Sequence, residues 1–229
     1  MRRRLLAAVA VGAAATVLSA CGGMHPGAAI VINDGDYRAS MSDVDDLTAA
    51  LCEASPLLAE AQGSPAQTSE AVDARQYVVG LLIQSYLTPL AAKQVDAPEP
   101  PPDQLNVSPA DYANITDQMS DDAADEFLQL LEMGTEVGAW QASIGMSQPN
   151  ASPSTAAQAG LQYVLDYAED FDIDIDPRIG MDGNDLQAAK FARSGSISVA
   201  ASDEATQRLD PEQRQKVADS LPSSQTCGG

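Results

Sequence analysis

The residues of this chain whose types and spacing could do chemistry are three cysteines, one histidine and a run of alternating aspartates. Cys21 directly follows Leu18-Ser19-Ala20 at the end of an uncharged stretch, a thiol placed where an exported chain can be cut and modified. If Cys21 is modified in that way, Cys52 and Cys227 are an even pair in a compartment where disulfides persist. The pair can form a disulfide, two buried free thiols or a redox couple. Their wide separation gives no CxxC motif, which favours a structural bridge. His25, the only histidine, lies in the glycine-rich stretch 22–27. The chain beyond it therefore cannot assemble a Ser-His-Asp or Cys-His nucleophile, and the imidazole ligands usual for zinc are missing. His25 itself reads as a solvated linker residue. No catalytic residue, metal or cofactor is expected.

The aspartates at 170, 172, 174 and 176, with Asp182, Asn184 and Asp185 beyond them, raise the question of calcium, which takes six to eight oxygen ligands. An EF-hand loop starting at Asp170 needs glycine at 175 and glutamate at 181, where the chain has Ile175 and Met181. Starting at Asp172 puts Pro177 and Gly183 in those places. The better reading is an amphipathic strand with an acidic face. Asp121, Asp122 and Asp125 likewise read as acids at the positive end of a helix rather than as a metal site.

The N-terminus gives Cys21 its context. Arg2, Arg3 and Arg4 precede the uncharged residues 5–20, a basic head and an apolar segment of about 16 residues, short of the roughly 20 that span a bilayer. LSAC matches the lipobox of bacterial lipoproteins, in which the cysteine receives a diacylglycerol and the chain is cut before it. The expected organisation is a signal peptide at 1–20, a lipid-proximal tether at 21–27 and one domain at 28–229. Acyl chains on Cys21 would hold the protein at the extracytoplasmic face of the cell membrane without a transmembrane helix.

The mature chain would carry nine Lys and Arg against 33 Asp and Glu, a formal charge of −24. Such a surface repels nucleic-acid phosphates, which removes nucleic acid as a partner, and it suits an acidic, soluble exported body.

The elements that must position these residues follow from periodicity. Residues 28–32, AAIVI, form an apolar β-branched strand; Asn33-Asp34-Gly35-Asp36 supplies a turn, and Tyr37-Arg38 resumes extended chain. Ser42 as N-cap starts a helix over 42–52. A long buried helix starts near Ser69 and reaches Leu90, kinked or shortened by Pro89. Residues 97–103, APEPPPD, are a stiff connector. Further helices begin at Ser108 and Ser120, and another covers 154–170. Residues 171–176 alternate as a strand, 196–202 form a second late strand, and a terminal helix covers about 210–221. The first strand should pair with one of the two late strands.

Three pieces resemble the SurA N-terminal-like family, the trigger-factor/SurA-type chaperone fold, among lipoproteins of GC-rich bacteria. The family pattern AAxVxxGxxxxxSxVD is matched by AAIVINDGDYRASMSDVD at 28–45, and its VxxDPRxG-like segment by IDIDPRIG at 173–180. Its closing LSVPxS strand is matched loosely by ISVAAS. The NDGD turn departs from the family's glycine position. The resemblance implies a mostly α, multi-helix domain with a small sheet of N- and C-terminal strands, binding unfolded exported proteins. No parvulin isomerase domain fits in the chain. Fold alone does not assign function, so a structural or envelope-assembly lipoprotein with an unknown protein partner stands as the alternative. An apolar groove would favour the first, a featureless acidic surface the second, and a cleft of convergent carboxylates an enzyme.

Overall fold

The computed structural model describes residues 26–64, 68–149, 152–181, 216, 218–222 and 225–227. Cys21, His25, the expected strand at 196–202 and most of the expected terminal helix lie outside them, although residue 216 and residues 218–220 are helical.

The body opens with β1 (Ala28–Ile32), four of whose five residues are buried. Apolar side chains pointing to both sides make it a central strand. Asn33 and Asp34 turn the chain at positive φ, 47° and 57°, where short polar side chains are tolerated. β2 (Tyr37–Ser40) then pairs antiparallel with one edge of β1, and β4 (Ile173–Ile175) pairs antiparallel with the other. The expected union of the first strand with a late one is thus made by the 173–175 segment, Ile30 opposite Ile175 and Ile32 opposite Ile173. Asp172 and Asp174 point to solvent while Ile175 is buried, as the alternation requires.

Helix α1 (Met41–Ala61) differs from the expected 42–52 at both ends. Its N-cap is Ser40, not Ser42. Ser40 keeps extended backbone angles, its hydroxyl accepts from the Asp43 N–H, and the Asp43 carboxylate accepts from the Ser40 N–H, a capping box. The alanine- and leucine-rich stretch beyond Cys52 continues the helix through Pro56. Helix α2 (Ala71–Gln94) likewise runs past Pro89, so the proline does not shorten it. Its ten buried residues surround the axis, which marks a helix enclosed by neighbours.

The connector after α2 has no regular structure until a short 3-10 turn (Pro102–Gln104), and Pro100 is buried. The helix expected from Ser108 is instead a 3-10 turn (Pro109–Tyr112) running into the one-turn α3 (Ala113–Thr116). Asn, Ile and Thr in this stretch are weak helix formers. Helix α4 (Asp121–Met146) and helix α5 (Ala156–Ala168) form the last hairpin. Its two backbones touch closely, because a methyl at Gly145 would overlap the Ala156 carbonyl and one at Gly160 the Gln141 carbonyl.

The main core joins Ile30, Ile32, Val44 and Leu47 to Val78, Val79, Ile83, Leu87, Ile144 and Val164. A smaller cluster of Ala50, Ala54, Ile115, Met119 and Phe127 fastens α3 and the start of α4 to the second half of α1. The observed class is mostly helical with a small antiparallel sheet. No helix among the described residues is long and apolar enough to cross a membrane.

Candidate functional site

The chain enters the body at Gly27, with φ +82°, where an added Cβ would meet nothing within 4 Å. The Gly27 carbonyl accepts from the N–H of Met41, the first residue of α1, at 2.9 Å. Beside it, Ala28 pairs with Ser40, and the Ala29 carbonyl accepts from the Asp176 N–H at 2.9 Å. The point of entry is therefore flanked by the first turn of α1 and by the turn that follows β4.

That second turn, a 3-10 segment (Pro177–Ile179), is built by its own sequence. The Asp176 carboxylate accepts from the Arg178 N–H, Pro177 occupies the first helical position, and Gly180 ends the turn at φ 74°. The Arg178 guanidinium returns to the same carboxylate through Nε at 2.9 Å and an Nη at 2.7 Å. These bonds hold the Asp176 carboxyl below the ordinary carboxylate range, outweighing its partial desolvation. From below, Gln76 of α2 donates its side-chain N–H to the carbonyls of Gly180 at 3.1 Å and Ile179 at 3.4 Å. Next to it Arg75 pairs with Asp45 of α1 at 2.7 Å. At the far end of the sheet Tyr37 stacks on Tyr86, ring centres 4.9 Å apart. Burial and then the nearby Asp43 raise the Tyr37 phenol above its usual range, against a hydrogen bond with Ser85.

Cys52 and Cys227 are joined in a disulfide with their Cα atoms 4.6 Å apart. Around the bridge the chain forms a second two-stranded sheet, β3 (Ser69–Glu70) antiparallel to β5 (Thr226–Cys227), with Ser69 opposite Cys227. Cys227 is buried, and β5 packs against α1 and α2.

Among the described residues no three His, Cys, Asp or Glu side chains gather as metal ligands. Asp170, Asp172 and Asp174 are exposed, Asp176 is engaged by Arg178, and Asp182, Asn184 and Asp185 lie outside the described residues. Asp121, Asp122 and Asp125 sit in the first turns of α4, where the backbone N–H groups face them. The helix also receives a carboxylate from elsewhere: Glu53 of α1 accepts from the Ser120 N–H at 2.8 Å. The chemistry of these groups is ion pairing and hydrogen bonding.

Comparison with family profiles, curated proteins and solved structures returned no match.

Sequence reasoning did not find Gln76, Glu53 or the β3–β5 pair. Ser40 could have been found, since Ser40-x-x-Asp43 has capping-box spacing.

Proposed function

We propose that this chain is an extracytoplasmic lipoprotein, acylated on Cys21, whose helical body is a non-enzymatic module that binds a protein partner close to the membrane surface. The observation that carries the anchoring is the short distance in sequence between LSAC and the buried strand β1, whose first residue is Ala28. Nothing but a six-residue tether separates the proposed lipid site from the body. A diacylated cysteine needs no spanning helix to hold such a body.

The body's surface supports an assembly role over the holding of unfolded clients. Between residues 28 and 181 there are 26 Asp and Glu against four Lys and Arg, a surface suited to a basic or cation-bridged partner. The large apolar side chains that stand exposed among the described residues are two, Tyr77 on α2 and Met146 on α4. A chaperone-like role is the second reading. It draws on the mostly helical body with a small antiparallel sheet, which the likeness to SurA N-terminal-like proteins implies.

Two experiments test this. Cys21→Ala should abolish acylation and move the protein out of the membrane fraction; a variant that still pellets with membranes and resists high salt overturns the anchoring. Purified non-acylated domain should suppress the aggregation of an unfolded client no better than an equally acidic inert protein. Clear suppression at comparable molar ratio would restore the chaperone reading.

A further inference from the structure

We infer that the surface around Gly27 is the face the anchored protein turns toward the lipid headgroups, with helix α4 turned away. The inference rests on the anchoring at Cys21 proposed above.

The first argument is reach. Six peptide steps separate Cys21 from Gly27, and at about 3.3–3.6 Å each they span roughly 20 Å when taut. The helices of the body are longer than that. The 24 residues of α2 extend about 36 Å and the 26 of α4 about 39 Å. A tether shorter than the body cannot let its remote side settle on the bilayer as easily as the side from which it emerges. Gly27 fixes that side, because its carbonyl is bonded to Met41 and the next strand is hydrogen-bonded on both edges.

The second argument is charge. Bacterial headgroup surfaces that carry anionic lipids repel an acidic body, so it turns its least acidic face to them. Of the four cations between 28 and 181, two stand beside the entry point: Arg178, whose side chain is largely exposed, and Arg75. They pair with Asp45 and Asp176, and Asp43 and Asp46 lie in the same first turns of α1. Helix α4 carries six carboxylates, Asp121, Asp122, Asp125, Glu126, Glu132 and Glu136, and no Lys or Arg. Its main neighbours are the helices α5, α2 and α1 rather than the strands of the sheet. Reach and charge thus select the same orientation.

The test couples the thiol of unacylated Cys21, in the chain beginning at that residue, to a maleimide lipid in vesicles of phosphatidylcholine with phosphatidylglycerol. An environment-insensitive fluorophore is placed by an unnatural amino acid at Ser42 or at Glu132, both exposed, and is read against a headgroup-attached quencher. Quenching should be several-fold stronger at Ser42, and a flexible Gly-Ser insertion of about 20 residues after Gly23 should reduce the difference. Arg178→Glu should weaken quenching at Ser42 on the anionic vesicles but not on pure phosphatidylcholine. Equal quenching at the two positions, or stronger quenching at Glu132, overturns the inference. Because the lipid is attached chemically, that failure is separate from a failure of acylation in the cell, which the Cys21→Ala fractionation reads.

Discussion

The side-chain amide of Gln76 lies 3.1 Å from the carbonyl of Gly180, and through it helix α2 holds the turn that closes the three-stranded sheet. The residues are 104 positions apart, and Gln76 is buried, so its amide has no water to fall back on. Gln76→Leu keeps much of the volume and removes the donor. Leaving the two carbonyls short of a partner should cost about 1–3 kcal/mol, measured as a lower midpoint in urea with unchanged slope.

The bridge between Cys52 and Cys227 should leave the oxidised protein without a titratable thiol at either position. In the chain-entropy view a loop of this length contributes about 5 kcal/mol at most, and losing a native bridge commonly costs about 2–5 kcal/mol. Cys52→Ser with Cys227→Ser should therefore lower thermal stability markedly. Hydrogen exchange should locate the loss first at residues 69–70 and 226–227, the strands seated beside the bridge.

Four glycines of the α4–α5 hairpin separate packing from propensity. Gly160→Ala or Gly145→Ala drives a methyl into backbone of the facing helix and should destabilise by about 1–3 kcal/mol or more. Gly134→Ala and Gly138→Ala meet nothing within 4 Å and should instead stabilise by about 0.5–1 kcal/mol, the ordinary gain of alanine over glycine in a helix. Thermal melts of the four variants give the signs.

Thr88 is fully buried, and among the described residues its hydroxyl has no hydrogen-bond partner. Thr88→Val keeps the branched shape and removes the stranded hydroxyl, so it should raise stability by about 1 kcal/mol. A lowered denaturation midpoint would show that the hydroxyl is satisfied after all.

Acid and alkali should each find one sensitive group. The depressed carboxyl of Asp176 adds stability above the unfolded value near pH 3.9, and this is lost as pH falls through its lower folded value. The raised phenol of Tyr37 adds stability that is complete below about pH 10 and lost as pH rises through its higher folded value. Asp176→Asn should flatten the acid limb and Tyr37→Phe the alkaline limb of a stability-against-pH curve, each leaving the other limb in place.

What the sequence disclosed is what local pattern can carry. AAIVI and IDI show β-branching or period-two alternation, so both could be read as strands and the first expected to pair with a late one, but which late run it pairs with, and in which sense, is seen only in the fold. The aspartates of the second run take the wet side by that alternation. The start of α1 was harder, since Ser40 and Ser42 both offer a capping hydroxyl and Asp43 decides between them by reaching back. Strands β3 and β5 have two residues each, too few for any periodic signal, and only the disulfide hinted at their meeting. Gln76 looks like one of several polar residues of α2 until its partner, a backbone carbonyl, arrives from the other end of the fold. Glu53 capping α4 is of the same kind: the need is local, the donor of the carboxylate is not.

The closed loop has a mechanical consequence under the proposed anchoring. A pull on the lipid enters through β1, whose bonds to β2 and β4 would be loaded along the strand and would have to break together rather than one by one. If they yield, residues 28–51 can be drawn out, roughly 80 Å of slack at about 3.3–3.6 Å per residue. Beyond Cys52 the chain divides. A partner gripping the body anywhere between Cys52 and Cys227 is reached from Cys52 by two covalent arms, so the shorter arm sets the taut length and carries the tension while the longer stays slack. The bridge thus acts as a stop on a leash, limiting how far the body can be dragged from the bilayer before force bears on covalent bonds alone.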